Sequence, residues 1–331
     1  MLRYLTAGES HGPCLTMIID GVPAGFSIDI DKITVTKPRP GHADLNGVLK
    51  YDRKDIRDIL ERASARETVA RTAVGSFAKQ LLAPFGVRVM GYIRSIGNVA
   101  AKLTGLSFDE IYARSEDSPV RTADHEAEQK MIALIEECKK EGNTLGGIFE
   151  VVTLGLPPGL GSHTQWDRKL DGRLAQALMS IQAMKGVEIG LGFEMARQRS
   201  SQVHDEIFFD PAKDVTEGTP RIVPTGFYRG SNNSGGTEGG MTNGAPLIAR
   251  VAMKPISTLM SPLHSVDLRS KQPADAAVER SDVCAAPAAA VVGESVVAFE
   301  VAGAFLEKFG GDSLREIKRN FENYLEQIKN Y

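Results

Sequence analysis

Residues 287–308, P-A-A-A-V-V-G-E-S-V-V-A-F-E-V-A-G-A-F-L-E-K, restrict the fold more than any other stretch. A helix this rich in alanine and valine has no broad polar face and must be largely buried. Other elements have to surround it. A chain of 331 residues with 42% hydrophobic content can build a core of that size. Further helices are predicted at 64–83, 124–140 and about 168–184, and from Asp312 to about residue 328. Ser64 with Glu67 reads as a capping box that starts the 64–83 helix. Strands are predicted at 14–20, 86–93, 147–155, 187–193 and 246–253, with a short apolar strand before residue 8. Strands and helices interleave in mixed order, which gives an α+β class. No Pro/Ser-rich linker divides the chain, so residues 1–331 read as a single domain. One internal echo occurs: T-M-I-I-D-G-V-P-A-G-F at 16–26 and E-V-V-T-L-G-L-P-P-G-L at 150–160 both carry a strand and then Gly-x-Pro-x-Gly.

Composition excludes several function classes. A formal net charge of −3 gives no basic field for non-specific nucleic-acid binding. Three separated cysteines supply neither a disulfide framework nor a four-cysteine zinc site, and no other metal motif is present. There is no long apolar leader and no window of 18 apolar residues, so the reading is a cytoplasmic protein without a membrane partner. G-x-x-x-x-G-K-[ST] and G-x-G-x-x-G are both absent.

Two histidines sit in glycine-flanked loops: His11 in G-E-S-H-G-P (8–13) and His42 in R-P-G-H-A-D (39–44). Loops on a rigid scaffold are where reactive groups tend to sit, and histidine titrates near neutral pH. The capped helix start S-A-R-E (64–67) is a ready anion site, with Arg66 and Arg71 nearby. Lys254 and two hydroxyls stand in K-P-I-S-T (254–258), and Arg280 stands near Asp282 in E-R-S-D (279–282). The glycine-dense stretch 225–244 reads either as a flexible surface loop or as backbone that approaches a ligand closely. Cys14, near His11, is a weaker nucleophile candidate, because a small residue entering an apolar strand is usually just buried.

Taken in order, G-E-S-H-G-P, R-P-G-H-A-D, S-A-R-E-T, G-G-M-T-N-G-A-P, K-P-I-S-T and E-R-S-D closely resemble the chorismate synthase family. The stretch at 159–190 strengthens the match, which runs from Met1 to the last helix. The resemblance implies a β-α-β sandwich and a homotetramer. It implies reduced FMN as cofactor and phosphate elimination from 5-enolpyruvylshikimate-3-phosphate to give chorismate. His11 then matches the histidine that protonates the reduced flavin, and His42 the one that protonates the departing phosphate. Asp282 matches the aspartate that helps the flavin accept the substrate's proton. Ser64, Ala65, Arg66, Gln182, Ala183, Gly239, Lys254, Pro255, Ile256, Ser257, Thr258 and Arg280 match FMN-binding positions. His11, His42, Asp282 and the start of the 64–83 helix are expected to face one cleft. The alternatives are a flavin- or nucleotide-binding protein without lyase activity, a histidine-dependent phosphatase or transferase without flavin, and a non-catalytic interaction protein.

One part of the family pattern is missing. The family carries an arginine- and glycine-rich segment between the strand–G-V-P-A-G unit and R-P-G-H-A-D. Its arginines contact substrate and are assigned to NADP in some members. Here nothing of it stands between about Asp29 and Lys37. Two explanations follow. Either residues were omitted and numbered through, leaving one adjacent Cα pair far beyond ~3.8 Å, or the chain is a true internal deletion and inactive. The first is the expectation.

Overall fold

The computed structural model describes residues 3–7, 16–20, 34–60, 63–210, 215–216, 219–220, 225–279 and 281–331. The chain falls into two compact units, each drawn from separate stretches of sequence. One takes residues 1–67, 140–144 and 256–282, and the other takes 68–139, 145–255 and 283–331.

The second unit is built on a five-stranded antiparallel sheet in the order Val99–Ala100, Arg88–Ile96, Gly147–Leu154, Leu247–Met253, Met184–Ile189. Strand side chains alternate between the two faces. Phe149, Val151, Leu247, Ala249 and Val251 therefore share one face, and all are fully buried. They form one core with Ala290, Val297, Val301 and Phe305 of the long helix Ala286–Phe309. The helix comes close because glycines leave room. A Cβ on Gly293 would lie 2.5 Å from the Phe149 ring, and one on Gly91 would lie 2.8 Å from the Ala290 carbonyl oxygen. Helices Thr68–Leu82 and Leu170–Met179 pack against the long helix. On the other face Met90, Val152 and Leu154 meet Leu103 and Ile111 in a smaller cluster. Tyr92 belongs to that cluster as well, and Tyr92, Glu150, Arg250 and Glu188 sit opposite one another across four strands.

Helix Ala286–Phe309 is 24 residues long, and its most apolar 18-residue window has a mean hydropathy of 1.7. Length and composition would let it cross a membrane, which the sequence reading did not anticipate. Since 72% of that window is buried inside the protein, it is a core helix, as its alanine–valine content predicts.

The first unit holds helix Asp44–Tyr51 and two antiparallel strand pairs, Arg3–Ala7 with Thr16–Asp20 and His264–Val266 with Pro273–Asp275. Extended residues 34–37 tie it together. Val35 O accepts from Ile56 N–H, Thr36 O from Leu268 N–H, and Lys37 O from Ala277 N–H. The Thr144 hydroxyl donates to Ile256 O at 2.6 Å, and Ser261 N–H donates to Gly142 O.

Several element bounds differ from expectation. The 64–83 helix opens as a 3-10 turn, Ala65–Glu67, and is α-helical from Thr68. The 168–184 helix is a 3-10 turn, Trp166–Arg168, and then Leu170–Met179. Its apolar spacing runs on through buried Ile181, but Ala183 has φ +69°, which no right-handed helix accommodates. The last helix is capped by Ser313, not Asp312. Ser313 Oγ accepts from Glu316 N–H, and the Glu316 carboxylate returns the bond. A helix over Phe108–Asp117 was missed, although S-F-D-E at 107–110 is itself a capping box. Cys14 and the Gly-x-Pro-x-Gly half of the 16–26 echo lie outside the described residues.

Candidate active site

The R-P-G-H-A-D stretch folds into a tight turn that enters helix Asp44–Tyr51. Gly41 takes φ +75°, which costs glycine nothing, and His42 N–H donates to Arg39 O. The turn gathers Arg39, His42 and Asp44. Asp44 is completely buried, Arg39 is nearly so, and the His42 side chain keeps 20% of its exposure. Asp44 Oδ2 accepts from Arg39 N–H at 3.1 Å and Nε–H at 2.9 Å. Asp44 Oδ1 accepts from Arg39 Nη2–H at 3.1 Å and faces His42 Nδ1 at 2.6 Å. Burial alone would push the Asp44 carboxyl up. The hydrogen bonds from His42 and Arg39 outweigh it and hold the group well below the usual carboxylate range. The remaining arm of Arg39 donates from Nη1 to Thr258 Oγ1 at 2.9 Å, and Thr258 is buried.

His42, Asp282, Ser64, Ala65, Arg66, Ile256, Ser257 and Thr258 all belong to the first unit. Arg39 joins two of them, His42 and Thr258. Asp282, Ala65 and Arg66 are exposed, and Ser64 Oγ accepts from Arg66 N–H at 3.3 Å. Gln182, Ala183, Gly239, Lys254 and Pro255 belong to the second unit. There Lys254 N–H donates to Ala183 O at 3.0 Å, so Ala183, with its left-handed backbone, is fixed against Lys254. Burial and the like charge of Lys185 push the Lys254 ammonium below its ordinary value. No carboxylate pairs with Lys254 among the described residues. His11 and Arg280 lie outside the described residues, and with His11 the expected single cleft.

The glycine-dense stretch 225–244 is ordered by a carboxylate and by backbone packing. Asp205 accepts from Ser231 Oγ–H at 2.5 Å and from the N–H groups of Asn233 and Ser234. A Cβ on Gly235 would lie 2.3 Å from Gly190 N, so this glycine serves close approach to another backbone segment. Gly239 is different: a Cβ there would meet nothing within 4 Å.

Sequence reasoning missed Arg39, Asp44 and Lys185. The signal for the first two was present in R-P-G-H-A-D, where a cation and a carboxylate flank the histidine at −3 and +2.

Among the described residues, the first unit thus holds a histidine bound to a buried carboxylate, and the second holds a half-buried lysine with no carboxylate partner. Comparisons with known proteins identify the family. The family model described as chorismate synthase matches residues 2–36 and 34–306. "Chorismate synthase" of Geobacter metallireducens is 50% identical over 398 residues, covering 100% of both chains. That of Pelobacter propionicus is 50% identical over 396, covering 99% of this chain and 100% of its own. A solved structure titled "Crystal Structure of Chorismate Synthase" superposes with a TM-score of 0.74 at 41% identity, covering 100% of this chain and 99% of that one. The chain belongs to the chorismate synthase family, the carbon–oxygen lyases of the shikimate pathway. The first alignment spans 398 positions against 331 residues here, so at least 67 positions have no counterpart in this chain.

Proposed function

We propose that this chain eliminates phosphate from 5-enolpyruvylshikimate-3-phosphate with reduced FMN bound, and that His42 gives the leaving phosphate its proton. The carrying observation is the His42–Asp44 pair at 2.6 Å in a chain of this family. The substrate loses a C–O bond to phosphate and a C–H proton, with no net redox change. Reduced FMN, when bound, supplies electron density as phosphate leaves and recovers it as the proton is lost.

The residues fit such a cofactor. Lys254, half-buried beside Lys185, is a site short of negative charge, and a bound anion would relieve it. Ser64, Ala65, Arg66, Gln182, Ala183, Gly239, Pro255, Ile256, Ser257, Thr258 and Arg280 would complete the FMN contacts. The left-handed backbone of Ala183 is the kind of strain that gathers at ligand sites. His11 would hold the proton for the flavin. The Asp282 carboxylate would assist removal of the substrate's proton.

The same reading extends to the fold. We take residues 1–331 as one family domain, a β-α-β sandwich with duplicated strand–Gly-x-Pro-x-Gly units, lacking a family segment between about residues 29 and 37. In support, Thr16–Asp20 and Gly147–Leu154 are both strands, and the family matches come in two pieces that meet at 34–36. Residues 29–33, the first part of the window expected to hold a chain break, lie outside the described residues. A cytoplasmic homotetramer fits the exposed Val69, Phe77 and Phe299, and light scattering on the purified protein checks the tetramer.

The missing segment favours one other reading, a flavin-binding chain without turnover. An anaerobic phosphate-release assay with reduced FMN separates the two. It is run on this chain and on a version carrying the relative's intervening residues. Release that needs reduced FMN and collapses in His42→Ala supports the lyase. FMN binding with no release from either version supports the alternative.

A further inference from the structure

The contacts around His42 cannot all be satisfied by one protonation pattern. Nδ1 lies 2.6 Å from Asp44 Oδ1 and 3.0 Å from Arg39 Nη2, and Arg39 Nη2 is also 3.3 Å from Nε2. A guanidinium only donates and a carboxylate only accepts. A lone pair on Nδ1 would suit Arg39, whereas a proton there would suit Asp44. The carboxylate contact is the shorter, and a hydrogen bond to an ionised acceptor is the stronger kind. The proton therefore belongs on Nδ1. Arg39 does not need Nδ1: its Nε, Nη1 and one Nη2–H donate to Asp44 and Thr258, and the second Nη2–H has the lone pair of the neutral ring's Nε2 within 3.3 Å.

We infer that Asp44 is a positioning residue: anchored by Arg39, it holds the Nδ1 proton of His42, so that the ring takes up a second proton at Nε2 and gives that Nε2 proton to the leaving phosphate. Its bearing on turnover rests on the reading of His42 as proton donor. Its bearing on the tautomer does not. Asp44 is buried and receives three donors from Arg39 besides the histidine, so the carboxylate cannot swing to another partner.

The isosteric change Asp44→Asn makes a sharp demand. Asparagine has one acceptor oxygen. Two Arg39 donors converge on the Oδ2 position and one on Oδ1. The amide oxygen is then drawn to the doubly served side, and the NH₂ faces His42 Nδ1. An NH₂ there needs a lone pair on Nδ1, so the ring proton moves to Nε2.

The test uses the full chain with ¹⁵N-labelled histidine, read by long-range ¹H–¹⁵N spectra about two pH units above the usual histidine range of ~6.5. His42→Gln identifies the signal among the six histidines. Native His42 is expected in the Nδ1–H tautomer, and Asp44→Asn is expected to invert it. Native His42 in the Nε2–H form overturns the inference, even if the variant fails to fold. So does an unchanged tautomer in a folded variant. In turnover, Asp44→Asn is expected to lower kcat by about 10²–10⁴-fold, the usual span for acid–base groups, with FMN affinity unchanged. Inversion with kcat unchanged upholds Asp44's grip on Nδ1 and overturns the proton-donor reading of His42.

Discussion

At the scale of the residue, buried carboxylates organise both units. Glu294 sits in the middle of the alanine–valine helix and is almost fully buried. Lys79 Nζ donates to one of its oxygens. Arg121 Nη2 and Gly91 N–H donate to the other at 2.8 and 2.9 Å. Removing one member of a buried ionic cluster costs about 3–5 kcal/mol, because the partners stay buried without compensation. Glu294→Ala should lose stability of that order in urea unfolding, and Glu294→Gln, which keeps an acceptor for Gly91, should lose less. A loss under about 1 kcal/mol for the alanine variant, within the range of surface pairs, would contradict this account. Glu294 was invisible in the sequence, where it is one charge in an apolar run whose partners lie 173 to 215 residues away. Asp44 was equally hidden, though it stands two residues from a histidine that the motif did reveal. What a motif does not disclose is burial, and burial decides which neighbour matters. Asp44 also sets a pH dependence. A carboxyl held below its unfolded value of ~3.9 stabilises fully above that pH and loses the contribution as pH falls through its folded value. The stability gap between the native chain and Asp44→Asn should therefore shrink as pH falls below ~4. A gap that shrinks between pH 7 and 5 would point to a different titrating group.

At the scale of the element, the two interior glycines of neighbouring helices have opposite meanings. Gly75, in Thr68–Leu82, is buried where that helix crosses Ala286–Phe309. A Cβ there would lie 2.3 Å from Ser295 Cβ and 2.4 Å from Ser295 Cα. The second atom is backbone, so relief requires the helices to move apart. Gly75→Ala should cost about 1–3 kcal/mol, the range for overpacking. Gly172, in Leu170–Met179, is exposed, and its nearest neighbour would be 3.9 Å away. Gly172→Ala should gain about 0.5–1 kcal/mol from the helix preference of alanine over glycine. Thermal melts of the two variants should shift in opposite directions, and a Gly75→Ala melt at or above the native one would remove the close crossing. Periodicity made the long helices and the main-sheet strands legible, because a core-facing stripe repeats over many residues. It could not mark where Leu170–Met179 stops, since Ile181 continues the apolar spacing from within a turn. It also gave no account of the Gly235–Gly190 approach, which joins backbone segments distant in sequence.

At the scale of the whole molecule, the alignment with the Geobacter metallireducens relative holds at least 67 positions without a counterpart in this chain, and the proposed reading puts the loss between about residues 29 and 37. No periodicity or spacing within the chain reveals this, because 34–37 is ordinary extended backbone bonded to Ile56, Leu268 and Ala277. The loss becomes visible only against the family, whose two matched pieces meet at 34–36. It should fall unevenly on the two ligands. The residues assigned to FMN, from Ser64 to Arg280, all lie after the junction. On the proposed reading, arginines that would contact the substrate belong to the absent stretch. The substrate bears a phosphate and carboxylates, and the chain as a whole has a net charge of −3, so nothing general attracts it. Turnover should therefore be negligible at low substrate, while reduced FMN still binds. Splicing the intervening residues of the Geobacter metallireducens relative in at 34–36 should lower KM for 5-enolpyruvylshikimate-3-phosphate and leave FMN affinity unchanged. Removing uniform binding raises KM rather than slowing the chemical step, so restoring it should act on KM first. Anaerobic FMN titration beside phosphate release at rising substrate separates the two effects. If the splice tightens FMN by the same factor that it lowers KM, the segment supports the fold as a whole, and the division between a substrate half and a flavin half fails.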